Sequence, residues 1–496
     1  MAISKIQFLL NEETVTLENI DPNLTVLQYL RQLRNLTGTK EGCASGDCGA
    51  CTAVVAEVTV NNHNKTALNY KSINTCISFV GSLHGKQLIT IEHLQEGGKL
   101  HPVQQAMVDK HGSQCGFCTP GFVMSSFALH KKNAAPKTQE VIEALAGNLC
   151  RCTGYRAIVD AASTPTNLNA DDKFIRLQQQ TLAQLIAINH LPSAQLSGNG
   201  HQYYAPKTIF ELATLLKENP KAKIVAGGTD LALSVTQHLV DINELIYLGH
   251  VDELNEINET VNYIDIGAAV PYSRFTALLG QQYPEIEEMI ERIGSTQIRN
   301  LGTLGGNIGN ASPIGDMPPA LIALSASVIL HCGDKEREIL LQDYFKDYKV
   351  TDLAKAEFIK TIRIPKAVTG KSLKVYKISK RIDDDISAVL ASFYLEISAG
   401  KVKSATLAFG GMAAIPKRAL ACEQALLGQP WQQSTIDAAK LALTQDFQPM
   451  SDVRASSKYR MMVAQNLLQK CFLEINGNMT GTLIETLIET RVVNYA

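Results

Sequence analysis

Eight of the eleven cysteines in this 496-residue chain lie between positions 43 and 152, in two groups of four. The first group places three thiols at the spacing C-x4-C-x2-C and a fourth at a distance: Cys43, Cys48, Cys51 and Cys76. This spacing is typical of a plant-type loop in which four thiolates hold a [2Fe–2S] cluster. Gly42, Gly46 and Gly49 crowd the loop. Glycine allows close approach of the backbone to a cluster and permits positive φ.

The second group consists of two close pairs: Cys115, Cys118, Cys150 and Cys152. Disulfides would need an oxidising compartment, and the first residues lack the basic start and apolar run of a signal peptide. Zinc favours Cys-x2-Cys pairs, and each group contains one. Three ligands between positions 43 and 51 and the tight pair at 150 and 152 are unusual for zinc. Two iron–sulfur clusters are therefore the favoured interpretation.

The elements that must position the first group resemble a small sheet with one helix. Residues 1–18 alternate apolar and polar side chains as a hairpin does, and Thr25 precedes a helical stripe of apolar residues. A strand is predicted over 52–60, and Cys76 begins another apolar segment. Together these elements predict a β-grasp ferredoxin domain over residues 1–88.

Helical signals dominate residues 89–165. Helices are predicted to begin near Pro102, at Thr119-Pro120 and at Thr138, and a fourth is predicted over 155–162. Cys118 and Cys152 are expected just before helix N-termini, where the helix dipole stabilises a thiolate. This stretch predicts a four-helix domain that holds the second cluster.

The remainder of the chain predicts a multidomain α+β protein. Residues 166–200 have no clear period and predict a linker between two large units, with a helix over 175–188. Residues 201–370 and 371–478 each alternate strands and helices. The tail 479–496 carries no pattern.

Composition excludes several functional classes. The net charge of −2 gives no reason to expect nucleic acid or an anionic membrane surface as a partner. No run of 18 apolar residues predicts a membrane span, and cysteine-rich chains without an export signal are expected in the cytoplasm. Neither H-E-x-x-H nor G-x-S-x-G occurs, so the sequence does not favour hydrolysis.

Two glycine-rich segments follow predicted strands. One is the run Ile224, Val225, Ala226, Gly227, Gly228, Thr229, Asp230 and Leu231, and the other spans residues 302–316. Such loops present successive N–H groups to a pyrophosphate, although turns without a ligand have the same composition. The Rossmann fingerprint is absent. Because a flavin takes electrons singly or in pairs, two clusters beside such loops suggest FAD.

Three cysteine motifs resemble the xanthine oxidase family of molybdenum hydroxylases: EGCASGDCGAC at 41–51, QCGFCTPG at 114–121 and GNLCRCTGYR at 147–156. The loops at 224–231 and 303–316 resemble that family's vanillyl-alcohol-oxidase-type (PCMH-type) FAD domain. Residues 371–478 would then be a C-terminal domain like that of CO dehydrogenase flavoproteins. The domain order, without a molybdenum domain, resembles the small subunits of bacterial xanthine dehydrogenases.

The resemblance implies roles for individual residues. The run 224–231 would wrap the FAD pyrophosphate, and four residues would hold the phosphates and ribityl chain: Thr303, Gly306, Asn307 and Asp316. Ile359 and Lys377 would lie near the isoalloxazine, and Tyr348 and Asp384 near the nicotinamide pocket. From the residues alone, Asp316 is equally a helix cap, Lys377 part of a solvated basic face, Asp384 a turn residue and Tyr348 an ordinary aromatic. Cys332, Cys422 and Cys471 are expected to be buried thiols.

The resemblance also implies a function. Xanthine or hypoxanthine would be hydroxylated at a molybdenum cofactor on a partner subunit. Electrons would pass to the second cluster, the first cluster, FAD and then NAD. The assembly would be a heteromer, doubled into a dimer of heterodimers.

Two alternatives stay open. The same relay serves an aldehyde or another N-heterocycle hydroxylase that uses oxygen or a quinone as acceptor. A non-enzymatic carrier of clusters, or an assembly scaffold without flavin, belongs to a different class.

Overall fold

The computed structural model describes residues 2–60, 65–166 and 172–477. Its contacts divide the chain into two compact units. The first is drawn from residues 1–252 and 294–302, and the second from residues 253–293 and 303–496. Among the described residues, no helix combines the length and the apolar character needed to cross a membrane.

The first unit begins with a five-stranded mixed sheet. Its strands, in spatial order, are Glu13–Leu17, Ile6–Leu10, Gln87–Ile89, Thr52–Val60 and Thr66–Asn74. Thr25 caps the helix Val26–Gln28 with a reciprocal capping box to Gln28, and a π-helical turn, Tyr29–Leu33, continues it. The predicted hairpin, helix cap and strand at 52–60 are thus confirmed.

Four helices follow, as predicted: Pro102–Asp109, Thr119–Lys132, Thr138–Leu145 and Arg156–Ala162. Their apolar faces share one core with Val54 and Ala56 of the sheet. Cys118 is the N-cap of the second of these helices. The expected placement of Cys152 is wrong, because Thr153, Gly154 and Tyr155 separate it from Arg156, and Tyr155 is the N-cap.

The segment predicted as a linker is folded. Within the described residues of 166–200 lie two helices and a strand: Lys173–Arg176, Gln178–Asn189 and Ala194–Gly198. The described part of this segment belongs to the first unit, and its role as a linker between two domains stays a prediction. Leu185 is fully buried, which explains why the helix packs although polar residues interrupt its period.

A second sheet completes the first unit. Its strands, in order, are Ala194–Gly198, His201–Ala205, Glu244–Tyr247 and Lys223–Val225, and the last three run parallel. Two helices accompany the sheet, Ile209–Glu218 and Leu233–Thr236, whereas the helix Thr296–Arg299 lies against the strand Thr66–Asn74 of the first sheet. The carboxyl ends of parallel strands are where open α/β sheets bind ligands.

The second unit contains a five-stranded antiparallel sheet. Its strands, in order, are Ile257–Glu259, Tyr263–Gly267, Phe358–Pro365, Ser327–Cys332 and Lys335–Leu340. Five helices pack with it: Tyr272–Gln282, Pro284–Glu291, Leu304–Gly309, Met317–Ala323 and Leu341–Tyr344. A short hairpin pairs Phe345–Asp347 with Val350–Thr351.

The second unit ends in a four-stranded antiparallel sheet: Lys371–Ile378, Val389–Ser398, Lys401–Gly410 and Lys417–Arg418. Three helices cover it: Leu420–Leu426, Gln433–Asp446 and Ser457–Ile475. The predicted mixture of helix and sheet is confirmed. The boundaries predicted near 88, 165, 200 and 370 stay predictions, and the tail 479–496 lies outside the described residues.

Candidate iron–sulfur and flavin sites

The first group of cysteines forms the more enclosed of the two thiol sites, with Cys51 and Cys76 buried and Cys43 and Cys48 half-buried. Cys51 and Cys76 are each 2 % exposed, and their Sγ atoms lie 3.3 Å apart. Hydrogen bonds with Cys48 and Cys76 lower the pKa of the Cys43 thiol well below its ordinary value. The backbone N–H groups of Ser45 and Cys48 also donate to Cys43 Sγ, each at 3.4 Å. The four thiols therefore form one connected set with a thiolate already favoured at Cys43.

Glycine is required around this set. A Cβ on Gly42 would lie 2.8 Å from Cys48 Sγ, and a Cβ on Gly49 would lie 2.1 Å from the carbonyl oxygen of Gly147. Gly49 also has a φ of +66°, which other residues adopt only with strain. The loop thus has the close backbone approach that a cluster site needs.

The second group forms an open thiol site. Cys115 and Cys152 are exposed, Cys118 is half-buried and Cys150 is buried. Hydrogen bonding pairs Cys115 with Cys152 and Cys118 with Cys150. Burial raises the pKa of the Cys118 thiol to about 12, so the protonated thiol is favoured there, despite the position of Cys118 at a helix N-cap.

Two further side chains hold Cys150. The hydroxyl of Thr153 donates to Cys150 Sγ at 3.1 Å, and the backbone N–H of Cys150 donates to the hydroxyl oxygen of Tyr155 at 3.0 Å. Tyr155 has a φ of +71°, which places its hydroxyl back against Cys150. Hydrogen bonds to ligand sulfur atoms tune the potential of an iron–sulfur cluster.

The arrangement of both sites fits a two-iron cluster. Across residues 2–60, 65–166 and 172–477, no three side chains of the metal-binding types converge as a site for one ion would require. In a [2Fe–2S] cluster each iron takes two of the four thiolates, so thiols need to meet only as pairs. The second group meets as two such pairs, and the first group includes the pairs Cys43 with Cys48 and Cys51 with Cys76.

A backbone hydrogen bond joins the two sites. The N–H of Leu149, next to Cys150, donates to the carbonyl of Cys48 at 3.0 Å. The side-chain amide of Asn148 donates to the carbonyl of Gly49, also at 3.0 Å. The two cysteine groups, far apart in sequence, therefore meet along a shared stretch of backbone.

The predicted pyrophosphate loop follows the parallel strand Lys223–Val225 in the first unit. A Cβ on Gly227 would lie 1.9 Å from the carbonyl oxygen of Leu301, and Gly228 has a φ of +73°. Only glycine fits both positions, so this part of the run 224–231 has a structural reason for its composition.

The same loop lies beside the first thiol site. A Cβ on Gly228 would be 3.4 Å from the carbonyl oxygen of Ile77, the residue that follows Cys76. The side-chain amide of Gln237 donates to the carbonyls of Cys43 and Ala44, at 3.1 and 3.0 Å. The first site, rather than the second, is thus the neighbour of the predicted flavin loop within this unit.

Other predicted flavin residues lie in the second unit. Thr303 caps the helix Leu304–Gly309 by accepting from the N–H of Gly306 at 2.9 Å. Asn307 Oδ1 is buried without a hydrogen-bond partner and lies 3.4 Å from where a Cβ on Gly315 would be. A buried carbonyl oxygen without a donor is unfavourable unless a ligand satisfies it, which fits a polar cofactor at this loop.

Asp316 and Lys377 form a buried ion pair at 2.6 Å, with side chains 8 % and 2 % exposed. Ser387 donates to the other carboxylate oxygen at 2.6 Å. Asp316 occupies an N-cap position but makes no capping hydrogen bond, and Lys377 does not lie on a solvated face. The side chain of Asp316 therefore does not cap the helix, and Lys377 is not part of a solvated basic face.

The three remaining predicted residues, Ile359, Tyr348 and Asp384, have separate surroundings. Ile359 is buried, 3.7 Å from where a Cβ on Gly309 would be. Tyr348 is 57 % exposed, in the turn of the short hairpin. Asp384 has a φ of +49°, and its carbonyl accepts from Arg381 at 3.1 Å. Their nicotinamide and isoalloxazine roles stay predictions.

Three residues with specific side-chain contacts at or near the thiol sites were not predicted from the sequence: Thr153, Tyr155 and Gln297. Thr153 and Tyr155 lie inside a cysteine motif, which is a signal that could have identified them. Gln297 has no such signal. Cys422 and Cys471 are buried thiols, as predicted. Cys332 is only half-buried, because it ends a strand beside a hairpin turn.

Four family models match in succession. They are a 2Fe-2S iron–sulfur cluster binding domain (residues 8–81), a [2Fe-2S] binding domain (90–163), the FAD binding domain in molybdopterin dehydrogenase (196–367) and the CO dehydrogenase flavoprotein C-terminal domain (374–475). The first thiol site lies within the first of these matched ranges, the second thiol site within the second, and both glycine-rich loops within the FAD-binding range.

Curated relatives are named as xanthine dehydrogenases. The Emericella nidulans protein is 33 % identical over 89 % of this chain and 36 % of its own length. Xanthine dehydrogenase 1 of Arabidopsis thaliana is 31 % identical over 94 % of this chain and 39 % of its own length. The chain thus spans about two-fifths of the length of these relatives.

Solved structures match about half of the chain. A Cu,Mo-CO dehydrogenase chain has a TM-score of 0.51 and 28 % identity, covering 54 % of this chain and 94 % of that one. Quinoline 2-oxidoreductase from Pseudomonas putida 86 has a TM-score of 0.51 and 26 % identity, covering 55 % and 95 %. With two cluster domains, a flavin domain and these relatives, the chain belongs to the xanthine oxidase family of molybdenum hydroxylases.

Proposed function

We propose that this electron-transfer chain is the iron–sulfur and FAD subunit of a xanthine dehydrogenase. A partner subunit with a molybdenum cofactor would hydroxylate hypoxanthine to xanthine and xanthine to urate, with water as the oxygen source. This chain would carry the electrons to NAD. The complex would be a heteromer, doubled into a dimer of heterodimers, in the cytoplasm, without nucleic acid or membrane as a partner.

The observation that carries the proposal is the order of contacts within the first unit. The open site of Cys115, Cys118, Cys150 and Cys152 has exposed thiols, where an external donor can approach. Its neighbour across the Leu149–Cys48 hydrogen bond is the enclosed site. The enclosed site in turn borders the loop at Gly228. This sequence of neighbours supports electron flow from partner to open site, enclosed site and flavin.

The chain's own residues would bind and tune, not exchange protons with substrate. Eight cysteine thiolates would hold the irons, and N–H groups and the Thr153 hydroxyl would stabilise charge on sulfur. The loop 224–231 and residues Thr303, Gly306, Asn307, Asp316, Ile359 and Lys377 would hold FAD. A bound flavin exchanges hydride with NAD and single electrons with clusters. Tyr348 and Asp384 would border the nicotinamide.

The assignment to xanthine comes from the named relatives, whose matches span 89 % or more of this chain in the first two cases. A second candidate is a hydroxylase of another N-heterocycle, because a quinoline 2-oxidoreductase chain also matches. The substrate is chosen by the molybdenum subunit, so the assembled complex must decide between the two.

The first experiment is an anaerobic NADH titration of the purified chain, followed by visible absorbance. Bleaching of flavin and cluster bands together would support NAD as terminal acceptor. Flavin and clusters that NADH cannot reduce would remove NAD and point to oxygen or a quinone. Absence of extractable flavin would instead support the redox carrier or scaffold.

The relay order has its own test in the complex with the molybdenum subunit. Cys150→Ser should abolish xanthine:NAD turnover while NADH still reduces the flavin, because the open site would lie between molybdenum and flavin. Cys332→Ser, a half-buried thiol outside both sites, is the matched control and should retain turnover. Unchanged turnover in Cys150→Ser would contradict the order.

A further inference from the structure

A single buried amide reaches the segments that carry both thiol sites. Gln297 is fully buried on the helix Thr296–Arg299. Its Nε2, which carries two N–H donors, lies within hydrogen-bond distance of three acceptors: Thr52 Oγ1 at 3.2 Å, Ser125 Oγ at 3.2 Å and Asn148 Oδ1 at 3.1 Å. All three acceptor residues are at most 3 % exposed, so these hydrogen bonds are made away from water.

Each acceptor lies on the same segment of chain as a cysteine of one of the two sites. Thr52 directly follows Cys51 of the enclosed site. Ser125 lies on the helix Thr119–Lys132, whose N-cap is Cys118 of the open site. Asn148 is one residue away from Cys150 along the chain, with Leu149 between them. Gln297 therefore contacts one segment of the enclosed site and two of the open site.

The acceptors also bind one another across the same junction. Ser125 donates to Asn148 Oδ1 at 2.6 Å, and the Asn148 amide donates to Gly49 O and to Thr52 Oγ1 at 3.0 and 3.2 Å. Thr52 Oγ1 donates to Gly49 O at 2.7 Å. The result is a closed polar network around the Leu149–Cys48 hydrogen bond, and such buried networks specify geometry strongly.

We propose that Gln297 is a positioning residue that sets the separation of the two cluster sites, and thereby the rate of electron transfer between them. It acts through Thr52, Ser125 and Asn148 and touches neither cluster. The inference rests on the proposed function in assuming that both sites hold a [2Fe–2S] cluster. It does not depend on xanthine, on NAD or on the molybdenum subunit.

The step involved is the transfer of one electron. With clusters bound, one electron would leave the site of Cys115, Cys118, Cys150 and Cys152 and reach the site of Cys43, Cys48, Cys51 and Cys76. The donor cluster would be oxidised by one electron and the acceptor cluster reduced by one, without a change of bonds. Because electron tunnelling slows steeply with distance, a network that holds Asn148 against Gly49 controls the step without any chemistry of its own.

The test is the magnetic dipolar coupling between the clusters in the purified holoprotein, fully reduced with dithionite. This coupling falls with the cube of the distance between the two paramagnetic centres. Gln297→Leu keeps the side-chain size but removes these hydrogen bonds. We expect a narrowed or lost splitting in the low-temperature EPR spectrum, and slower intercluster transfer after flash reduction, with full iron content. Ser125→Ala should narrow the splitting less.

Asn300→Leu is the matched control. Asn300 lies one turn along the same segment, is 4 % exposed and donates to Ser72 O at 2.9 Å, away from the junction. The Asn300→Leu variant should lose about as much stability as Gln297→Leu and should keep the wild-type EPR splitting. The proposal is overturned if the EPR splitting is unchanged in both Gln297→Leu and Ser125→Ala. It is also overturned if Asn300→Leu narrows the splitting as much as Gln297→Leu does. If Gln297→Leu gives no holoprotein, Ser125→Ala decides by the same criterion. A wild-type chain without two clusters would overturn the proposed function as well.

Discussion

The two thiol sites differ in how far the protein encloses them. Cys51 and Cys76 belong to the apolar core that surrounds the first sheet, whereas Cys115 and Cys152 are exposed. Phe117, Leu149 and Tyr155, near the open site's cysteines, are 48 %, 47 % and 39 % exposed. Two cysteines of the first site thus lie in the fold's interior, and two cysteines of the second site lie at its surface, although each site has four.

This difference separates two tasks. A ligand inside a core contributes to folding as well as to binding iron, so the enclosed site should be hard to alter without loss of stability. A ligand at the surface contributes little to packing, and it permits approach of a redox partner. The comparison predicts that matched changes at the two sites have unequal consequences.

The largest expected contrast is between Cys76→Ser and Cys152→Ser. Each should remove the EPR signal of its own cluster. Cys76→Ser should also lower the free energy of unfolding by about 4 kcal/mol or more, because it breaks a core metal site, whereas Cys152→Ser should cost about 1 kcal/mol or less. Iron content, EPR and urea denaturation measure the three quantities. Equal losses of stability would mean that burial of the ligand does not distinguish the sites.

A glycine pair tests the backbone of each site. In Gly49→Ala the new Cβ would clash with the Gly147 carbonyl, and the backbone has a φ of +66°. The variant should lose about 3 kcal/mol of the free energy of unfolding. Gly116→Ala meets a φ of +83°, with only Ser113 Oγ at 4.0 Å, and should cost about 1 kcal/mol. Urea denaturation compares the two variants. A larger loss in Gly116→Ala would reverse the comparison.

Acid should weaken the part of the first unit that holds the enclosed site. His84 is 1 % exposed, its Nδ1 accepts from the N–H of Gln7 at 3.0 Å, and burial together with Lys207 lowers its pKa to about 4. The unfolded chain binds this proton first, so stability is full above about pH 6.5 and is lost as pH falls towards 4. His84 should contribute a loss of about 2 kcal/mol between pH 7 and 5.

The measurement is the free energy of unfolding as a function of pH, with the EPR signal of each cluster followed in parallel. His84→Asn, which keeps a side-chain acceptor but does not titrate, should reduce this loss by about 2 kcal/mol and leave the part due to His250, whose pKa burial also lowers. An equally steep loss in the variant would assign the acid sensitivity to other groups.

The smallest expected effect concerns the potential of the open site. Thr153→Val keeps the side-chain shape and removes the hydrogen bond to Cys150 Sγ, at a cost of about 1 kcal/mol. Loss of a donor to sulfur destabilises the reduced cluster, so the open site's potential should become more negative while that of the enclosed site stays unchanged. A redox titration followed by EPR measures both. Equal movement of both potentials would contradict a local role for Thr153.

Much of the fold was predictable because its signals are local. Prolines at Pro102 and Pro120 begin helices where the sequence places them, and Thr25 is a helix cap as expected. The segment 166–200 was predicted less well, because its helix packs through a few buried residues such as Leu185 and has no regular apolar stripe. Periodicity detects an amphipathic helix, but it does not detect one that is held by isolated contacts.

The features of the candidate sites were likewise predictable where their signal is local in sequence and not where it is tertiary. The sequence by itself determined the eight thiols, their grouping into two fours and the glycine-rich loops, because spacing along the chain restricts which ligands can meet. Only the tertiary structure decided that Leu149 binds Cys48, that Gln297 joins both sites and that one site is enclosed while the other is open. These contacts join residues far apart in the chain, and they arise from the packing of whole domains, which no local pattern records.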